Sequence, residues 1–94
     1  METSLKPGKN IDESTAEAFN TTLLDEIEKD IDELVIDMID VQEIDPVGLG
    51  LLIAAKKLTR KSDRLMTLTN VSTDIFNLFK AMRLDHYFDI TVSA

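Results

Sequence analysis

Three aspartates that follow a short apolar run are the first side chains in this sequence that could do chemistry. Asp37, Asp40 and Asp45 are spaced so that their carboxylates could gather beyond the end of a strand. Carboxylates gathered in this way can hold a divalent cation or take part in phosphoryl transfer. Asp37, however, falls inside the apolar run, and Asp45 precedes a proline, as a helix N-cap often does. We therefore interpret these carboxylates as solvated or capping groups and expect no metal site.

Two glycines and the single histidine could also mark a nucleotide, metal or catalytic site. Gly48 and Gly50 lack the third glycine of a dinucleotide-binding fingerprint, and Lys56 lies too far along the chain to be a P-loop lysine. His86 has no cysteine or second histidine with which to bind zinc. No Gly-x-Ser-x-Gly segment supplies a nucleophile for it either. We therefore expect a protein that is not an enzyme, with no catalytic residue and no cofactor.

The aspartates and glycines surround a predicted strand, turn and helix. The strand covers Leu34–Met38, and its continuous apolar start is typical of a strand that helices cover on both faces. Asp45 is a suitable N-cap and Pro46 suits the first helical position, so a helix is predicted from Pro46 to about Lys61. The turn thus places a helix N-terminus at the carboxyl edge of the sheet, where ligands and partners often bind.

The first half of this helix, residues 47–55, is apolar nearly all round, and its second half is basic. Such a half-helix is either deeply buried or buried on one side and docked to a partner on the other. Gly48 and Gly50 each cost about 1 kcal/mol relative to alanine inside a helix. The close approach of another backbone would explain them, and that backbone could belong to the sheet or to a partner.

The rest of the chain alternates between helix and strand patterns. Ser14-Thr15-Ala16-Glu17 has the spacing of a capping box, and a helical apolar pattern continues from it to about Asp30. The other predicted elements are a strand over Leu65–Thr69, a helix capped by Ser72, a half-buried strand over Phe88–Val92 and a short strand before Gly8. This alternation predicts one α/β domain over residues 1–94 with a largely parallel central sheet.

Length, composition and charge narrow the class of protein further. The chain has 94 residues and no cysteine, which allows one hydrophobic core and excludes disulfides and thiolate metal sites. No apolar stretch approaches the roughly 20 residues of a membrane span. The N-terminus also lacks the apolar core of a secretory signal. We therefore expect a cytoplasmic protein that does not insert into a membrane.

Charge is unevenly distributed along the chain. Residues 1–45 hold fourteen acidic and three basic residues, whereas the remainder holds four acidic and seven basic ones. Five of these bases lie within nine residues, at Lys56, Lys57, Arg60, Lys61 and Arg64. We interpret this cluster as a solvated helix end, with an anionic partner surface as the alternative. Nucleic acid is not an expected partner, because the chain has a net charge of −8 and no aromatic residues interleave with the bases.

The segment Asp45-Pro46-Val47-Gly48-Leu49-Gly50 resembles the Asp-Ser-Ser-Gly-Leu-Gly motif of bacterial STAS domains, typified by anti-sigma factor antagonists. The resemblance extends upstream to a glycine-to-aspartate segment that ends at Asp12, and downstream to the closing segment Phe79–Phe88. It implies a small α/β fold with a mixed central sheet and about three to four helices. It also implies partner binding through the following residues: Asp12, Asp45, Pro46, Val47, Gly48 and Leu49.

In the family that this motif resembles, the unphosphorylated antagonist binds an anti-sigma factor, often itself a serine kinase, and phosphorylation of the second motif serine breaks the complex. Val47 stands at that position and has no hydroxyl to accept a phosphoryl group. The resemblance therefore implies a partner-switching, transcription-regulating protein without its usual switch. The alternative is a STAS subunit of an ABC-type lipid transport complex. A short first strand would also leave a sheet edge that could pair in a homodimer.

Overall fold

The computed structural model describes residues 2–93 and has the α/β architecture that the sequence predicts. Its strands and helices follow one another as β1 (Glu2–Leu5), β2 (Asn10–Ile11), α1 (Ala16–Glu28), β3 (Glu33–Asp37), β4 (Glu43–Ile44), α2 (Pro46–Lys61), β5 (Leu65–Val71), α3 (Thr73–Ala81) and β6 (Asp89–Val92). Within the described residues there are three helices, in agreement with the expected number. None of these helices is long and apolar enough to cross a membrane.

Four strands form the central sheet in the order β1-β3-β5-β6, and every described pairing in it is parallel. The mixed sheet that the resemblance implied is therefore parallel in this chain. The short first strand does form: β1 lies at the sheet edge and pairs with β3 from Glu2–Glu33 to Leu5–Ile36. A second, two-stranded parallel sheet joins β2 to β4 and brings residues 10–11 beside residues 43–44.

The central sheet buries one face and leaves the other half-open, which corrects the prediction of a strand covered on both sides. Leu34 and Ile36 of β3 are fully buried and stand in register with Met66 and Leu68 of β5. Val35 points to the opposite face and is only half-buried. A run of three apolar residues is too short to distinguish a strand buried on both faces from a strand buried on one face. An apolar residue on the outer face of a half-buried strand produces the same run.

The helices cover the buried face of the sheet. Phe19 and Leu23 of α1, Leu52 of α2 and Phe79 of α3 belong to the same hydrophobic core as the buried strand residues. Phe88, immediately before β6, is also buried, and its ring centroid lies 5.6 Å from the ring centroid of Phe79. The core therefore holds all three helices in fixed positions against this face of the sheet.

All three helices begin where the sequence predicts, but one of the predicted caps does not form. The helix α2 covers Pro46–Lys61 as predicted, and Ser72 caps α3 by accepting a hydrogen bond from the Ile75 N–H at 3.2 Å. The capping box at Ser14 does not form: Thr15 is the N-cap residue of α1 and makes no side-chain cap hydrogen bond. The Ser14 hydroxyl instead donates to Asp12 Oδ1 at 2.6 Å, because a preceding aspartate competes for it.

Candidate partner-docking site

Asp45 fixes the N-terminus of α2 and connects it to the loop after β2. Its Oδ1 accepts a hydrogen bond from the Gly48 N–H at 2.8 Å, as the predicted N-cap should. Its Oδ2 accepts a second bond from the Glu13 N–H at 3.0 Å, and its own N–H donates to the Ile11 carbonyl at 3.2 Å. One side chain thus holds together two segments that are far apart in sequence.

Asp12 organises the same loop from within. Its Oδ1 accepts hydrogen bonds from the Ser14 hydroxyl, the Ser14 N–H and the Thr15 N–H. The bond from the Ser14 hydroxyl is the main cause of a lowered pKa for the Asp12 carboxyl, and the two N–H groups add to it. Asp12 is therefore the centre of a tight turn beside the N-terminus of α2, and it stays ionised at neutral pH.

Asp12 and Asp45 both line an open groove of about 520 Å³. The groove is lined by Asp12, Gln42, Glu43, Ile44, Asp45, Asp74, Ile75 and Leu78. Four of these eight side chains are carboxylates, and none is basic. The carboxyl edge of the sheet beside α2 is therefore strongly acidic.

Gly48 is buried, and the close backbone approach predicted for it occurs within the chain. A Cβ atom added to Gly48 would lie 1.9 Å from the carbonyl oxygen of Ile11. Leu49 is also buried, with 4% of its surface exposed. Both positions are thus packed against this chain's own core, and the part that Gly48 and Leu49 play in partner binding stays a prediction. Sequence spacing alone could not reveal that Ile11 is the residue that packs against Gly48.

Pro46, Val47 and Gly50 are the exposed positions of the motif. Val47 leaves 45% of its surface exposed, although it is a large apolar residue in the first turn of α2. Gly50 is also exposed, and a Cβ atom added to it would meet no atom within 4 Å. Nothing in the described chain therefore requires glycine at position 50, in contrast to position 48.

Sequence reasoning missed several residues that shape this site. Thr15 donates its hydroxyl hydrogen to the Asn10 carbonyl at 2.9 Å and accepts from the Asp12 N–H at 3.1 Å. An aspartate followed by serine two residues on and threonine three residues on is typical of such turns, so this signal was available. Ile11 and Asp74 reach the site only through the fold, and no local pattern marks either of them.

The other candidate residues of the sequence lie apart from this site. Asp37 Oδ1 accepts hydrogen bonds from the Asn70 side-chain amide and from the Ile39 N–H, both at 3.0 Å. No group of three or more histidine, cysteine or acidic side chains is arranged to hold a metal ion within residues 2–93. The His86 side chain is 97% exposed, with Nε2 3.4 Å from Asp85 Oδ2. Asp37 is thus engaged in hydrogen bonds within the chain, and His86 is a surface residue.

Comparison with known proteins identifies the family. The STAS domain model matches residues 3–94, so the chain belongs to the STAS domain family. A search of curated proteins finds no match. Among solved structures, the chain is similar to a candidate anti-sigma factor antagonist from Thermotoga maritima, with a TM-score of 0.89 and 22% identity over 98% of this chain and 80% of that one. It is also similar to a sulfate transporter family protein from Wolinella succinogenes, with a TM-score of 0.85 and 16% identity over 98% and 77% of the two chains.

Proposed function

We propose that this STAS domain is a non-catalytic regulatory protein of the anti-sigma factor antagonist type that docks a partner through the N-terminus of α2. The observation that carries the proposal is the exposure of Val47 in the first turn of that helix. An exposed apolar side chain on a rigid helix start offers contact area to a partner at little cost in ordering. The expected partner is an anti-sigma factor of the serine kinase type, and the expected compartment is the cytoplasm.

The six site residues that the resemblance implies divide into a contact group and a supporting group. Pro46 and Val47 are exposed, and Asp12 and Asp45 are half-buried at the groove, so these four form the surface that a partner would touch. Gly48 and Leu49 are buried beneath them and act by fixing the helix start against Ile11 and the core. This division keeps all six in the site but gives the last two a structural role.

The acidic groove that Asp12 and Asp45 line indicates the chemistry of the partner surface. Four carboxylates line this groove without a basic side chain among them, so a partner face that carries lysine or arginine is complementary to it. Raised ionic strength should then slow association, because long-range attraction between exposed charges is screened.

The position of Val47 also determines how the complex would be regulated. Phosphorylation requires an acceptor oxygen, and neither Pro46 nor Val47 supplies one in its side chain. The complex would therefore persist in the presence of ATP. A domain with serine at this position would instead be phosphorylated and released from its partner. We propose a constitutive antagonist in place of a switched one.

The phosphorylation assay is direct. The chain is incubated with its copurifying kinase-type partner and radiolabelled ATP, and the Val47→Ser variant is treated in the same way. We expect no label on Val47 or elsewhere in the first turn of α2 of the unaltered chain, and label on Ser at position 47 of the variant. Label on the unaltered chain at another residue, with loss of the complex, would contradict a constitutive complex.

A second function is a STAS subunit of an ABC-type lipid transport complex. The similarity to a sulfate transporter family protein supports keeping this candidate, since a protein of that family has the same fold. Mild purification of the tagged chain from its native cells, followed by mass spectrometry, separates the two. An anti-sigma factor with a kinase fold supports the antagonist proposal, whereas an ABC permease or ATPase supports the transport subunit.

A further inference from the structure

One face of α2 has no partner within the described chain and runs the whole length of the helix. The residues on this face follow one another at steps of about three or four positions, and we call them the outer stripe. The outer stripe consists of Val47, Gly50, Ala54, Lys57, Leu58 and Lys61, all of them exposed. The buried residues of α2, among them Leu52, Ala55 and Thr59, lie on the opposite side against the core. The outer stripe is therefore the solvent face of the helix.

The middle of the outer stripe is flat and apolar. Val47 and Leu58, near its two ends, leave 45% and 39% of their surfaces exposed. Gly50 and Ala54 lie between them, and the space above Gly50 is open. Glycine in mid-helix costs stability and here relieves no crowding within the chain. Two large apolar side chains that flank two small ones form a shape into which a second helix can fit closely.

The two ends of α2 lie in surroundings of opposite charge. Exposed Glu13 and Glu43 lie beside its N-terminus, where the Glu13 N–H is bonded to the capping carboxylate of Asp45. Exposed Lys57, Arg60 and Lys61 lie at its C-terminal end. The other two bases of this region are used inside the chain: Lys56 pairs with Asp89 at 3.8 Å, and Arg64 donates to the Ile27 carbonyl.

We propose that the occupant of the outer stripe is a second copy of this chain, packed antiparallel through the same stripe. Reversal of one helix against the other places the acidic end of each copy opposite the basic end of its partner, so the charges at both ends are complementary. The same reversal sets Val47 of one copy beside Leu58 of the other, with Gly50 and Ala54 at the centre. A self-complementary surface of this kind gives a closed two-fold dimer.

The dimer has a functional consequence because Val47 belongs both to the outer stripe and to the proposed docking surface. A protein partner and a second copy would then compete for the N-terminus of α2. Self-association would hold the domain in a dimer. The partner would then have to displace the second copy before it could bind. The dimer proposal depends only on the outer stripe and on the charges at the two ends of α2. It can therefore be tested without knowledge of any partner.

The test uses sedimentation equilibrium of the purified chain at concentrations up to about 1 mM, which covers weak specific association. Two charge-reversed variants are compared: Glu13→Lys with Glu43→Lys, and Lys57→Glu with Lys61→Glu. We expect the unaltered chain to form dimers and each variant alone to associate at least tenfold more weakly. An equimolar mixture of the two variants should regain association, because both pairs of ends then carry opposite charges.

A steric variant and a control complete the experiment. Gly50→Leu fills open space in the monomer but separates two packed helices, so it should weaken the dimer while circular dichroism shows an unchanged fold. Leu65→Ser removes another exposed apolar side chain, on β5, and should leave association unaltered. A monomeric unaltered chain at the highest concentration, or a mixture of the charge variants that stays monomeric, would overturn the proposal.

Discussion

Gly48 lies so close to Ile11 that a Cβ atom on Gly48 would stand 1.9 Å from the Ile11 carbonyl oxygen. The same carbonyl accepts the N–H of Asp45 at 3.2 Å, so the start of α2 and the end of β2 share one contact point. Ile11 is itself fully buried. This contact holds the first turn of α2 in place and thereby presents Val47 to solvent on a rigid support.

Replacement of Gly48 by alanine should destabilise the fold. The added methyl group must displace backbone atoms of Ile11, and overpacking of this kind costs about 1–3 kcal/mol or more. The better helix propensity of alanine recovers about 1 kcal/mol of that cost. Urea unfolding should show a lower midpoint for Gly48→Ala than for the unaltered chain.

Gly50→Ala is the matched control for this prediction. Position 50 is in the same helix, two residues on, and has no atom within 4 Å of the added Cβ. The substitution should therefore raise the free energy of unfolding of the monomer, by up to about 1 kcal/mol. Equal effects of the two substitutions would show that the Ile11 contact does not restrict position 48.

Removal of the Asp45 carboxylate should loosen both segments that it joins. Asp45→Ala loses the cap on the Gly48 N–H, which is worth about 1–2 kcal/mol, and also the bond to the Glu13 N–H. Amide hydrogen exchange should become faster at Gly48 and Glu13 together. Ser72→Ala removes the corresponding cap of α3 and should leave both amides protected. Unchanged exchange at Glu13 in Asp45→Ala would contradict the bridging role.

The contact between Asn70 and Asp37 should be visible in acid titration. The Asn70 amide lowers the pKa of the Asp37 carboxyl below its ordinary value of 3.8. A lowered pKa in the folded state means that this carboxylate adds stability above pH 3.8, and that the contribution is lost as the pH falls through the folded-state pKa.

The measurement is a carbon NMR titration of the side-chain carboxyls in the unaltered chain and in Asn70→Gly. Glycine is the suitable replacement because Asn70 has a φ of +54°, which glycine adopts without strain. The pKa of Asp37 should rise in the variant, while that of Asp12, which depends on Ser14, should not move. An unchanged Asp37 midpoint would mean that the amide contributes nothing to its pKa.

Local signals in the sequence predicted the part of the site that depends on local chemistry. The start of α2, the cap at Asp45 and the cap at Ser72 all follow from which residue types satisfy free N–H groups, and all three are confirmed. The exposure of Val47 was compatible with the all-round apolar half-helix but did not follow from it. The fold class followed from alternation and from the resemblance, and the family match confirms it.

The contacts between distant segments could not be predicted from the sequence. Ile11 fills the space beside Gly48 only because β2 pairs with β4, and neither two-residue strand leaves a recognisable pattern. The failed capping box at Ser14 has a local cause instead, since Asp12, two residues earlier, accepts the hydroxyl hydrogen in a turn. Coverage of β3 on one face depends on where all three helices pack, which a run of three apolar residues does not encode.

The proposed function depends on the docking of a protein partner on the first turn of α2 at Val47. The most direct test measures the affinity of the copurified partner for three forms of the chain by calorimetry: unaltered, Val47→Asp and Leu65→Asp. The last is the control, because Leu65 is 59% exposed and lies on β5, apart from the groove. We expect Val47→Asp to lose binding at least a hundredfold, or about 2.7 kcal/mol, while Leu65→Asp binds normally. Normal binding by a folded Val47→Asp variant would contradict the account and place the interface elsewhere.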